Sequence, residues 1–145
     1  MTERIILSLV AIFMLSLTLK KGDKKSKLLT AGLTLGILIT WTGISTLITA
    51  GFILYMLTGL IIPLSNFKRK DLSKLHWMTI VIGGIFAFGG KLFSIMNWPY
   101  ASEIRLSMII PIALYLLSLF KGLVKRKELG YSTIMNAEFI VSMIR

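Results

Sequence analysis

The apolar run from Leu28 to Leu64, which contains no charged residue, sets the strongest limit on the fold. As one α-helix this run would be about 55 Å long, nearly twice the roughly 30 Å of a bilayer's hydrocarbon core. The run is therefore predicted to form two helices joined by a tight hairpin. Threonine, serine and glycine gather between Trp41 and Gly51. The turn is placed there, with Trp41 at the level of the lipid headgroups.

The chain has three further apolar runs, each about as long as a single helix: Ile5 to Leu19, His76 to about Trp98, and Ile104 to Phe120. With 55% hydrophobic residues and a mean hydropathy of +0.81, the chain lies well outside the range of soluble domains. The sequence therefore predicts an integral membrane protein. The first run is short for a crossing, and a cleaved signal peptide is its alternative. An uncleaved helix is preferred because the basic cluster follows the apolar run instead of preceding it.

The positions of the positive charges determine the predicted membrane topology. All but four of the 17 lysines and arginines lie in three segments between or after the apolar runs, 20–27, 68–74 and 121–127. The positive-inside rule places all three segments in the cytoplasm. This predicts an all-α polytopic transmembrane bundle of about five membrane helices in a multi-pass protein of the bacterial cytoplasmic (inner) membrane, with the N-terminus outside and the C-terminus cytoplasmic. The predicted helices are about 4–20, 28–46, 48–65, 77–97 and 103–120, within a transmembrane domain covering 1–127.

The last segment, 128–145, is predicted to be a cytoplasmic amphipathic tail. Ser132 or Thr133 can cap a short helix there, and its apolar residues favour a position on the inner membrane surface. Docking on a partner protein and a frayed terminus are the alternatives.

Composition excludes several classes of function. The chain has no cysteine, one histidine and six acidic residues, and the acids form no pair that could act as a general acid and base. No catalytic group, metal site or cofactor is therefore predicted, and an enzyme is not expected. Although the net charge is +11, the basic residues lie in short loops and not on a soluble face, so nucleic acid is not a predicted partner.

Lys91 is the main candidate functional residue, because it is a charge inside an apolar run. It lies about 10 Å along the predicted helix from Trp98. Its stem can therefore snorkel to the outer interface. A pair with Glu103, or a role in transport or signalling, is the alternative. Asn97, Trp98 and Pro99 close the same run and complete the candidate set.

Small residues at helical spacing predict close helix packing. Gly32 and Gly36 form a GxxxG pair, and Gly83, Ala87 and Gly90 recur along a later helix. Contacts within one chain are favoured over contacts between copies.

The stretch Gly89 to Ala101 resembles a motif of GldL, the inner-membrane motor protein of gliding motility and type IX secretion in the Bacteroidota, and of small membrane proteins of that phylum. The family pattern reads approximately G-x-L-F-K-I-M-H-W-P-G-A. In this chain Ser94, Asn97 and Tyr100 replace its lysine, histidine and second glycine. The resemblance implies a bacterial inner-membrane protein. It does not extend to the motor function, since the next helix lacks the family's internal glutamate. The matching residues are Leu92, Phe93, Ile95, Met96, Trp98, Pro99 and Ala101.

The sequence favours a non-enzymatic subunit or assembly partner of a larger envelope complex. Its expected partners are the lipid bilayer and other membrane proteins or further copies of itself. A small transporter or channel, with a charged outer vestibule at Lys91 and Glu103, is the alternative. A protein that protects the membrane by occupying a target there is neither favoured nor opposed.

Overall fold

The computed structural model describes residues 2–67, 69, 71–96 and 99–144, and all regular structure among them is helical. The described residues form seven α-helices. In chain order they are α1 (Thr2–Lys21), α2 (Lys24–Ile39), α3 (Ser45–Asn66), α4 (Lys74–Ile95), α5 (Ala101–Ser107), α6 (Ile109–Phe120) and α7 (Arg126–Ile144).

Consecutive long helices pack side by side, so the chain runs back and forth between two ends of one bundle. One end, called here the basic end, carries the connections at 21–24, 66–74 and 120–126. The other, called the far end, carries the connections at 39–45 and 95–101 and the first residues of α1. The lysine-rich segments thus converge at the same end.

Four helical stretches are long and apolar enough to cross a membrane: Thr2–Lys21, Ser45–Asn66, Lys74–Phe93 and Ala101–Phe120. Many large apolar side chains on these stretches face outward, including Phe13 and Phe120, which are 62% and 88% exposed. Such a surface is compatible with an integral membrane protein, in which lipid covers the outside of the bundle. Helix α2, with 16 residues, and the more polar α7 are not among these four.

Local hydrogen bonds explain where several helices begin and end. Asp23 and Ser73 are the N-caps of α2 and α4, and each side chain accepts from a backbone N–H three residues later. Helix α2 ends at Ile39, earlier than the predicted boundary at 46. The Thr40 hydroxyl donates to a carbonyl of the last turn at 2.6 Å, and Gly43 takes a positive φ of 71° in the turn that follows.

The predicted last membrane helix is interrupted once. Helices α5 and α6 meet at Met108, three residues before Pro111. Proline has no N–H to donate to the carbonyl of Ser107, so the helix lacks one of its backbone hydrogen bonds at this point. Pro63, in contrast, stays inside α3 and packs against Gly84 of α4.

Glycine brings α3 close to its two neighbours. A methyl group at Gly36 would lie 3.0 Å from the carbonyl oxygen of Gly51, and one at Gly32 would lie 2.7 Å from the hydroxyl of Thr58. Ala87 is fully buried where α4 crosses Gly59.

Two of the predicted packing residues on α4 face other helices. Gly83 faces Met135 of α7, and Gly90 faces Met108 at the break between α5 and α6. The tight crossing of α3 on α4 therefore uses Gly84, which the sequence analysis did not select.

The structure corrects the prediction of a separate surface tail at 128–145. Residues 128–144 belong to α7, which lies between α1 and α6 and also packs on α2 and α4. Ser132 is a buried residue inside this helix and not its cap. Tyr131, Ile134, Met135 and Phe139 are at most 2% exposed. A surface helix would bury one apolar stripe, whereas α7 is buried on several sides, so it is part of the core.

Candidate functional site

Helix α7 buries both of its glutamates. Glu128 and Glu138 are 0% and 3% exposed, whereas the apolar Ile140 and Ile144 are 47% and 67% exposed. On an amphipathic helix of a soluble protein such charged residues face solvent. The two glutamates are ten positions apart, about 15 Å along the axis. They therefore define two separate polar centres, one near each end of the bundle.

The centre at the basic end is built around Glu128. Its carboxylate accepts a hydrogen bond from Arg69 Nη1 at 2.6 Å and lies 2.8 Å from His76 Nε2. Arg69 comes from the connection between α3 and α4, and His76 from the first turns of α4. Glu128 and His76 are fully buried. This contact therefore fixes the start of α7 against α4.

An exposed carboxylate completes the basic end. Asp71 accepts hydrogen bonds from Arg69 Nε at 2.9 Å and from Lys125 Nζ at 2.7 Å. These bonds, that from Arg69 first, hold the pKa of the Asp71 carboxyl well below its usual range. Arg69 is thus shared between an exposed and a buried acid, and it links the α3–α4 connection to the α6–α7 connection.

The centre at the far end pairs Lys91 of α4 with Glu138 of α7. The side chains are 19% and 4% exposed, so the pair is largely removed from solvent. Ser142 donates to the same glutamate oxygen at 2.7 Å. The Lys91 ammonium also lies 5.5 Å from the centre of the Phe52 ring on α3, within the range of a cation–π contact.

A cavity of about 60 Å³ opens beside this pair. Lys91 and Glu138 form part of its wall together with Arg4, Trp41, Phe52 and Tyr55. A space of this size holds a few water molecules or a small organic group. The indole N–H of Trp41 donates to the Ser8 hydroxyl at 2.8 Å, which fixes this part of the wall to α1.

Several buried polar atoms find no hydrogen-bond partner within the described part of the chain. An unsatisfied buried group costs about 1–3 kcal/mol, so each requires a physical reason. Tyr55 and Glu138 belong to the wall of the far-end cavity, while three of the others lie on α7 or on α2 beside it. The atoms are Thr30 Oγ1, Tyr55 Oη, His76 Nδ1, Ser132 Oγ, Asn136 Oδ1 and Glu138 Oε2.

The candidate residues selected from the sequence do not form one group. Lys91 was expected to snorkel to the outer interface, with a pair to Glu103 as the alternative, whereas the structure pairs it with Glu138. Glu103 is exposed near the far end and accepts a hydrogen bond from its neighbour Ser102 at 2.7 Å. Pro99 is exposed. The predictions for Asn97 and Trp98 concern residues outside the described part of the chain.

Sequence reasoning missed Glu128 and Glu138 because it treated the last segment as a surface helix. It named His76 as the start of an apolar run, although this histidine is fully buried against Glu128. The length of the segment was the available signal. A helix of 19 residues is about 28 Å long, close to the thickness of the hydrocarbon core.

Among the residues that the structure describes, no group of three or more histidine, aspartate or glutamate side chains has the arrangement of a metal site. Comparison with models of protein families, with curated proteins and with solved structures finds no match to this chain.

Proposed function

We propose that the protein is a non-enzymatic, multi-pass protein of the bacterial cytoplasmic membrane that passes a small solute or ion along the buried side of α7. In this proposal the chain crosses six times, through α1, α2, α3, α4, the α5 and α6 pair, and α7. The basic end faces the cytoplasm by the positive-inside rule, so both termini face outward. The proposed kinship with small inner-membrane proteins of the Bacteroidota, through Gly89 to Ala101, supports the same location.

The observation that carries the proposal is the inward-facing charge of α7. Ionisable residues inside a membrane bundle are costly, and where they face the interior they commonly line ion or solute pathways. Glu128 and Glu138 face the interior, one near each end of α7. Buried Ser132 and Asn136 lie between them on the same helix.

Anchoring of α7 is the structural alternative for the two ion pairs. It accounts for the contacts of Arg69 with Glu128 and of Lys91 with Glu138, which join α7 to the α3–α4 connection and to α4. It assigns no role to the polar atoms of the same helix that have no partner within the described part of the chain. A path that admits water or a solute would satisfy them.

A subunit of a larger envelope complex is the second candidate function. It is favoured by the first turns of α3, which lie beyond the packed part of the bundle. Thr46, Leu47, Thr49 and Ala50 are all exposed. Exposed small residues allow another membrane helix to approach closely. In this case a partner protein should co-purify from native membranes in a fixed ratio.

Flux through proteoliposomes tests the first candidate. Purified protein is reconstituted into vesicles loaded with the pH indicator pyranine, and a potential is imposed with potassium and valinomycin. Uptake of radiolabelled glycine and glycolate is measured in parallel, with protein-free vesicles as the baseline. The three probes are protons, glycine and glycolate. We expect at least one of them to enter the vesicles faster than the baseline. Glu138→Gln should lower this flux about tenfold or more, because the substitution removes a buried charge from the path.

Asp71→Asn is the matched control, since it also converts a carboxylate to an amide but at an exposed site outside the proposed path. Its flux should equal that of the wild type. If folded, monodisperse wild-type protein moves none of the three probes, the transport function fails and the subunit candidate stands alone.

A further inference from the structure

The far-end cavity combines buried polar side chains with a small, partly enclosed space. Its wall includes two side chains that are almost completely buried, Tyr55 at 2% and Glu138 at 3% exposure. Each has a polar atom without a partner in the described part of the chain, the Tyr55 hydroxyl and Glu138 Oε2. Both residues line the same cavity. The wall of one cavity therefore includes a phenol and a carboxylate, two groups that can accept a hydrogen bond from a donor.

The charges on the wall add a second requirement. The charged side chains that line the cavity are Arg4, Lys91 and Glu138, two cations and one anion. The carboxylate of Glu138 is already paired with Lys91. One anionic group on a ligand would therefore balance the remaining positive charge. Arg4 is exposed, whereas Lys91 is mostly buried, so the cationic groups extend from the mouth of the cavity inward.

Size limits the ligand further. A cavity of about 60 Å³ accepts roughly four to six water-sized groups, because one such group occupies about 10–15 Å³ on this measure. We propose that the cavity binds a small anionic group with a neighbouring hydroxyl or ammonium group, the chemistry shared by short hydroxy and amino acids and by the headgroup of phosphatidylethanolamine. The anionic group would contact Lys91 and Arg4, and the donor would contact Glu138 Oε2 and the Tyr55 hydroxyl. This inference rests on the proposed function, for which the cavity would be the solute site at the far end.

Four small probes test separately whether the cavity requires an anionic group and whether it requires a hydrogen-bond donor. Glycine and glycolate carry both an anionic group and a donor, acetate carries the anion alone, and ethanolamine carries the donor alone. Binding of each to the full-length protein in lipid-free detergent is measured by isothermal titration calorimetry. We expect glycine and glycolate to bind about tenfold or more tightly than acetate or ethanolamine, because each single-function probe leaves one buried group unpaired.

Tyr55→Phe is the most informative variant. It removes a hydroxyl that has no partner within the described protein and keeps the ring, so thermal stability without ligand should not fall. Binding of glycine and glycolate should weaken about tenfold, the loss of one hydrogen bond. Lys91→Met, which keeps most of the apolar stem, should weaken both probes as well. Tyr115→Phe is the matched control, because its hydroxyl contacts Thr133 away from the cavity, and its binding should not change.

Native mass spectrometry of the protein from its own membrane distinguishes the two sources of the ligand. The lipid is the natural source of the ligand if the wild type holds one phosphatidylethanolamine, glycine displaces it, and Lys91→Met lacks it. This result would support the proposed binding chemistry. If no probe binds and no such lipid is held, or if Tyr55→Phe and Tyr115→Phe bind equally, the inference is overturned. Binding of a probe without flux would support the proposed binding site and refute the transport function. Proton flux without binding of any probe would support the transport function and refute the binding site.

Discussion

Glu128 connects three parts of the chain that are far apart in sequence. It joins the first turn of α7 to Arg69 in the α3–α4 connection and to His76 on α4. Removing one partner of a buried ion pair leaves charge without compensation, which costs more than the pair itself contributes. The stability of the basic end therefore depends on this carboxylate far more than on the exposed Asp71 beside it.

Glu128→Gln should lower the free energy of unfolding by about 3 kcal/mol. The variant keeps the shape of the side chain and loses the charge that faces Arg69 and His76. Unfolding in detergent, followed by circular dichroism against increasing denaturant, measures the difference. Asp71→Asn makes the same chemical change at an exposed site and should cost about 1 kcal/mol or less. Equal losses in the two variants would show that Glu128 is not buried as described.

Two adjacent glycines on α4 allow a matched test of helix packing. A methyl group at Gly84 would lie 2.5 Å from Pro63 Cδ and 2.8 Å from the Gly59 carbonyl oxygen, whereas one at Gly83 would meet only the end of Met135 at 3.5 Å. The proline ring and the backbone cannot move aside cheaply. Gly84→Ala should therefore cost about 1–3 kcal/mol through overpacking.

Gly83→Ala should be neutral or stabilising by up to about 1 kcal/mol, because alanine favours the helix and the space is available. The denaturation experiment used for Glu128 applies here too. A larger loss for Gly83→Ala than for Gly84→Ala would reverse the assignment of which face of α4 meets α3.

At the residue scale, sequence reasoning selected Lys91 because it is a charge inside an apolar run, and the acid it named as a possible partner, Glu103, is not the one that the structure places beside it. Glu103 is close in sequence, whereas Glu138 comes close only after α7 has packed against α4. Periodicity and spacing describe what lies along one helix. They carry little information about which distant helix will supply a partner.

At the scale of elements, α7 is the helix whose environment could not be predicted from its own composition. Its polar residues were taken as the exposed side of a surface helix, although Glu128, Ser132 and Glu138 are buried. The apolar runs that form α1, α3 and α4 were recognised because uncharged length is a strong signal. Whether a helix with both polar and apolar residues is buried depends on the surrounding helices, because partners on those helices lower the cost of burying its polar groups.

The pair Ile134 and Ile140 tests the position of α7 directly. Both were expected on the apolar side of a surface helix, but the structure buries Ile134 completely and leaves Ile140 47% exposed. Ile134→Ala should cost about 2–5 kcal/mol, since it leaves a cavity in a packed core. Ile140→Ala should cost much less, because lipid or detergent can fill the space. Similar losses at the two positions would restore the surface-helix interpretation.

At the scale of the whole molecule, the crossing by α7 that is proposed above would change the number of crossings from odd to even. The sequence predicted about five membrane helices and a cytoplasmic C-terminus. The structure supports a helical bundle with the basic connections at one end, and α7 runs from that end toward the cavity at the far end. If α7 crosses, as proposed above, both termini lie on the same side of the membrane.

Single cysteines can determine this orientation because the chain has no cysteine of its own. Three exposed positions are suitable: Ser102 near the far end, Lys121 at the basic end and Ile144 near the end of α7. In intact cells with a permeabilised outer membrane, an impermeant maleimide should label Ser102→Cys and Ile144→Cys. It should label Lys121→Cys only after the inner membrane is opened, because the lysine-rich end is held in the cytoplasm.

Labelling of Ile144→Cys is the decisive comparison, since Ser102 and Lys121 serve as references for the two sides. If Ile144→Cys behaves like Lys121→Cys, the C-terminus is cytoplasmic and α7 does not cross. Glu138 would then be buried in the bundle without lying on a path between the two sides, and the inward charge of α7 would retain only its anchoring role. If it behaves like Ser102→Cys, the polar side of α7 reaches across the membrane, as transport requires.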